Sequence, residues 1–226
     1  VCIWLTVGVT FLIFPMLLRI RPGASNWILL LAFCTPLWCY GRDVWTEPWL
    51  TTVWVALLAF PHPLAQALLS ISGILIKHSF AVVPAALALY WAWRGRWRRS
   101  LLLGGSTALA LGAEIAFIQY LFRDVGHFNL FHSGLHQFRG ESLVTAPFGL
   151  TWKAVPGLLL SPTNGLLFFA PFLAWGLWNL RRGGSYYFPL IVFFAMHGMF
   201  LGWRAGTGFS ARYLVPLLPV LVFSVL

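Results

Sequence analysis

Two carboxylates four residues apart, Asp43 and Glu47, occupy the break Arg42-Asp43-Val44-Trp45-Thr46-Glu47-Pro48 between two apolar runs. Such a pair can take a proton from a hydroxyl, or hold a divalent cation against a phosphate. The same residues also suit a capped turn, with Thr46 capping the next helix, Pro48 tolerated in its first turn and Glu47 near its positive end. A second break, Ile76-Lys77-His78-Ser79, interrupts an otherwise apolar stretch from 64 to 93. Lys77 is there either as an anchor snorkelling to an interface or as a phosphate contact, helped by the helix N-terminus that follows Ser79.

Three further places hold polar chemistry. The loop from Asp124 to Gly149 carries His127, His132, His136, Arg139 and Glu141. On a helix, His132 and His136 would share a face and could bind a metal. Gly134 between them argues against that helix, so the loop is read as facing solvent or substrate and no metal ligands are assigned. Glu114 is the one acid deep in the run 100–122, where it needs a buried partner or a proton. Near the C-terminus, Gly202-Trp203-Arg204-Ala205-Gly206-Thr207-Gly208-Phe209-Ser210-Ala211-Arg212-Tyr213 opens into an apolar run. A glycine-rich loop with two arginines before a helix is either an anion cradle or a flexible turn.

The elements that position these residues are apolar. The 226-residue chain is 60% hydrophobic and 9% charged, with a mean hydropathy of +0.82, far from the usual balance of a soluble domain. Apolar runs near 1–18, 27–41, 46–60, 64–76, 80–93, 100–122, 164–180, 185–203 and 213–226 alternate with short polar breaks. A full membrane span takes about 20 apolar residues, so several of these runs must be tilted, broken or re-entrant. The expected fold is an all-α, polytopic transmembrane bundle of eight or nine apolar segments forming one domain over 1–226. The chain opens at Val1 and closes at Leu226 inside apolar runs; the expectation is therefore a piece of a longer membrane protein, truncated at both ends.

Charge writes the sidedness. The net charge is +10, but the cations flank apolar runs rather than forming a basic surface, which excludes nucleic acid as a partner. Arg94, Arg96, Arg98 and Arg99 between two apolar runs mark a cytoplasmic loop. Alternation then puts Arg19, Arg21, Pro61-His62-Pro63 and Arg181-Arg182 on the same side. Arg42, Asp43, Glu47, Lys77, His78, Arg139, Arg204 and Arg212 fall on the outer side, where topology does not explain them. The three cysteines, Cys2, Cys34 and Cys39, lack ligand spacing and read as small hydrophobes.

The order of Arg42…Glu47-Pro48, the basic break at Lys77, Ser161-Pro162-x-x-Gly165-Leu166-x-x-x-Ala170-Pro171 and Gly206-x-x-x-x-Ala211-Arg212-Tyr213-Leu214-x-Pro216 resembles the bacterial GT-C membrane glycosyltransferases, with the protein mannosyltransferase and aminoarabinose transferase relatives. The similarity runs from about residue 25 to 226. It implies an inner-membrane, multi-pass enzyme that moves a sugar from a polyprenyl-phosphate carrier to an acceptor on the non-cytoplasmic side. It also implies that Glu47, with Asp43 nearby, is the supporting acid of the site, that Arg212 faces the carrier phosphate, and that Lys77 is the basic residue after an apolar helix. Arg204, Arg42, His78 and Arg139 complete the expected substrate-binding set. No cofactor is required, and a divalent metal is compatible with the chemistry without being needed. The acidic base of the family's first outer loop is expected upstream of Val1. Trp203-Arg204-Ala205-Gly206 stands where relatives carry Trp-Gly-Gly, a departure that bears on donor recognition. Two other classes compete: a transporter or flippase of an anionic lipid-linked substrate, which would show paired broken helices in repeats, and a non-catalytic membrane scaffold.

Overall fold

The computed structural model describes residues 2–20, 22–23, 26, 46–122, 154–163, 165–179, 185–198 and 212–225. Among them every regular element is helical and no strand occurs. The elements are α1 (Cys2–Ile20), α2 (Thr46–Ala59), α3 (Pro63–Ile76), a 3-10 turn (His78–Ala81), α4 (Val82–Trp93), α5 (Trp97–Phe122), α6 (Ala154–Leu160), α7 (Leu166–Phe169), α8 (Leu173–Trp178), α9 (Tyr187–Gly198), a second 3-10 segment (Arg212–Leu217) and α10 (Leu218–Val225).

Local chemistry explains the boundaries. Thr46 opens α2, with Glu47 and Pro48 in its first turn, as a helix start requires. Thr51 and Thr52 are buried in α2 because their hydroxyls donate back to the carbonyls of Glu47 (2.7 Å) and Pro48 (2.9 Å). Pro63 begins α3, where its missing N–H costs nothing. The chain leaves α3 at Lys77 in extended conformation, with the Lys77 N–H still closing on the Gly73 carbonyl. Helix α4 ends in a paired cap: Arg96 N–H donates to the Trp91 carbonyl and Gly95 N–H to that of Ala92. Gly95 takes φ +72° there, a conformation that disfavours any side chain.

The core gathers around Trp54 of α2, which is fully buried. Its ring meets Phe80 edge-on at 5.9 Å and Phe193 of α9 at 5.5 Å. Phe80 lies so close to α3 that a Cβ on Gly73 would clash with two of its ring carbons. Around this centre α2 packs on α1, α3 and the 212–217 segment, α5 packs on both α3 and α4, and α9 packs on α4.

Only the stretch Trp97–Phe117 of α5 is, among the described residues, long and apolar enough to cross a membrane. The runs expected at 46–60, 64–76 and 80–93 are helices of 14, 14 and 12 residues. The run 164–180 is not one span: α7 and α8 are separated at Ala170-Pro171, where the proline cannot continue a helix.

Two ends of the structure differ in chemistry. Arg99 donates to the Pro61 carbonyl, Tyr186 to the Leu57 carbonyl, and Arg19 lies 4.9 Å over the Phe60 ring. Residues 19, 57–61, 94–99 and 186 therefore share one end. The start of α2 and the break at Lys77 and His78 meet at the other end, together with Glu114, about 22 Å up α5 from Arg99 at a helical rise of 1.5 Å per residue.

Candidate functional site

Glu47 and Lys77 form the centre of that second end. Lys77 Nζ donates to Glu47 Oε1 at 3.2 Å. The carboxylate is 1% exposed and the lysine 25% exposed. Thr46 Oγ1 contacts the other carboxylate oxygen at 3.3 Å. Glu47 reaches this place because the first turn of α2 is buried, and Lys77 because α3 ends one turn beyond Gly73. An ion pair this well enclosed holds both groups in one geometry.

The next residue makes a second pair. His78 Nδ1 lies 3.6 Å from Glu114 Oε1, both side chains being partly exposed. Glu114 Oε2 is buried and, among the described residues, finds no hydrogen-bond partner. The side chain that meets Glu114 among the described residues is thus a partly exposed histidine from the break between α3 and α4. Two contacts to acidic side chains thus converge on consecutive residues, Lys77 and His78.

A third polar side chain approaches from α9. His197 is buried, its Nδ1 lies 2.9 Å from the Phe193 carbonyl, and its ring stacks at 4.3 Å on Phe193. Lys77 lies within electrostatic range of it. His197 was not singled out by sequence reasoning; an isolated histidine in the apolar run 185–203 was its only signal.

The opposite end holds a network that sequence reasoning also missed. Gln66 Oε1 accepts from Arg99 Nε (3.2 Å) and Nη2 (2.7 Å). Gln66 Nε2 donates to the Leu57 carbonyl at 3.1 Å and to the Tyr186 hydroxyl. A buried amide demands partners, so Gln66 in an apolar run announced a network without naming its members.

Lys77, read from the sequence as an anchor or a phosphate contact, pairs with Glu47. Glu47, expected as the supporting acid of the site, is the partner of that lysine. Asp43, Arg42, Arg139 and Arg204 lie outside the described residues, as do His127, His132 and His136. For Arg212 the backbone is described, in the 3-10 segment that packs on α2. No cluster of three metal-ligating side chains occurs among the described residues. Comparison with protein-family models, curated proteins and solved structures returns no match.

Proposed function

We propose that this chain is a multi-pass protein of a bacterial inner membrane and forms the membrane-embedded part of a GT-C-type glycosyltransferase. It would move a sugar from a polyprenyl-phosphate carrier to an acceptor on the non-cytoplasmic side. Support for a lipid environment comes from the outward faces of the helices. Leu64, Leu68 and Leu75 of α3, and Leu101, Leu109 and Phe117 of α5, are more than half exposed. Apolar stripes of that extent are costly in water and at home against acyl chains.

The observation that carries the functional reading is the Glu47–Lys77 pair at the end opposite the arginines. Charges kept away from the cytoplasmic loops, within an apolar fold, suit a site better than a topology signal. In the proposed reaction an acceptor oxygen attacks the anomeric carbon and the carbon–oxygen bond to the carrier phosphate breaks with inversion. The phosphate leaves with the electron pair, and the acceptor proton passes to a carboxylate. Lys77 supplies the cation that the leaving phosphate needs, and Glu47 positions it. With Glu47 so engaged, the proton acceptor we assign within this chain is Asp43.

The test uses the full-length protein in lipid nanodiscs with polyprenyl-phosphate mannose, glucose or aminoarabinose as separate donors. Release of free polyprenyl phosphate is measured. Lys77→Met is expected to slow release at least about 100-fold, the scale of losing one charge-stabilising donor. Absence of release with all three donors, or full activity of Lys77→Met, would refute the proposal.

A further inference from the structure

The arginine end has a feature that sidedness alone does not require. Arg94, Arg96, Arg98 and Arg99 fall on a rigid corner, since Gly95 and the paired cap of α4 fix the turn between α4 and α5. The guanidinium groups of Arg96 and Arg99 lie 5.0 Å and 4.2 Å from the same Trp91 ring. Arg99 is further held by Gln66 and the Pro61 carbonyl, which docks the 60–62 loop against the corner. A loop that served only to repel translocation would need no such ordering.

Among the described residues, the charges of this corner also meet no carboxylate. No Asp or Glu occurs between Glu47 and Glu114 in the sequence. Neither ion pair of the described residues involves an arginine, both lying at the other end. Arg94, Arg96 and Arg98 are exposed, and Arg19 adds a further cation at the same end. Trp93 and Trp97 flank them at 82% and 63% exposure. Both tryptophans sit where the membrane-length stretch of α5 begins, the depth that aromatic side chains prefer in a bilayer.

We infer that this corner is a binding site for the headgroup of an anionic phospholipid of the cytoplasmic leaflet. Arg94, Arg96 and Arg98 take the phosphate, and Trp93 and Trp97 rest against the glycerol and upper acyl chains. Planar guanidinium groups match phosphate oxygens in paired hydrogen bonds. The stacking on Trp91 orders part of that donor set before the lipid arrives. The inference rests on the membrane reading above but not on the glycosyltransferase chemistry.

The experiment is native mass spectrometry of the full chain released from nanodiscs of equimolar phosphatidylglycerol and phosphatidylcholine. The wild type is expected to retain phosphatidylglycerol preferentially. Arg94→Gln/Arg98→Gln is expected to lose that preference, by roughly fivefold per arginine, since each cation near an anionic surface contributes on that scale. Equal retention of both lipids by the wild type, or an undiminished preference in the double variant, overturns the inference. Should the variant fail to insert, competition on the wild type decides. Short-chain phosphatidylglycerol should displace the bound lipid and short-chain phosphatidylcholine should not; displacement by both equally would again overturn it. Alkaline carbonate extraction of membranes tests the underlying reading separately, because a chain that leaves the membrane fraction was never lipid-embedded.

Discussion

Lys77 and Glu47, 30 residues apart in the chain, meet at 3.2 Å and tie the end of α3 to the start of α2. The two partners differ in exposure, and the difference has a measurable sign. Lys77→Met removes the cation from a carboxylate that is 1% exposed and is expected to cost about 3 kcal/mol, the scale of taking one partner from a buried ion pair. Glu47→Gln leaves a lysine with access to solvent and is expected to cost only about 1 kcal/mol. Thermal unfolding of both variants in detergent checks this, and an equal or larger loss for Glu47→Gln would contradict the described burial.

Gly73 has no room for a side chain. Gly73→Ala forces its methyl into the Phe80 ring and is expected to destabilise by about 1–3 kcal/mol through overpacking. Combining it with Phe80→Leu should recover part of that loss, so the double variant should be less damaged than the two singles summed. Additive losses in the unfolding midpoints would show that the two positions do not touch.

At the arginine end, Gln66 holds Arg99 and Tyr186 together. Gln66→Leu removes the acceptor for one and a partner for the other, at an expected cost of about 2 kcal/mol. Arg99→Lys keeps the charge but loses the two-nitrogen fork, with an expected loss of about 1 kcal/mol. Trypsin should cut the corner at 94–99 faster in Gln66→Leu, because the corner would open without its tether. Unchanged cleavage would mean that the tether does not limit opening.

Sidedness has its own test. In a background without Cys2, Cys34 and Cys39, a cysteine at Ser79 is expected to react with a membrane-impermeant maleimide added outside intact cells. A cysteine at His62 or Arg98 should react only after permeabilisation. Labelling of all three from one side would overturn the alternation deduced from the basic loops.

The positions of the breaks were legible in the sequence, while the pairings across them were not. Polar residues inside apolar runs mark where helices must stop, so the ends of α2, α3 and α4 fall close to their expected places. Glu114 declared its need for a partner through its depth, yet nothing local to residues 100–122 pointed to His78. Such pairings are set by how α3, α4 and α5 pack, a long-range outcome that spacing does not carry. Lys77 shows the same limit: no residue count reveals that the Glu47 carboxylate is buried, or that Lys77 pairs with it. The division of 164–180 followed from Pro171, whose effect on a helix is local.

The separation of the two ends acquires a further meaning in an energised membrane. Carrying one elementary charge through a potential of 100 mV takes about 2.3 kcal/mol. The end bearing Arg94, Arg96, Arg98 and Arg99 has no carboxylate to cancel it among the described residues, whereas at the other end Glu47 and Lys77 neutralise each other. In the proposed orientation the uncancelled charge would already rest on the negative side, and a membrane potential would oppose inversion. The Glu47–Lys77 pair, taken as a unit, has no net charge for that field to act on.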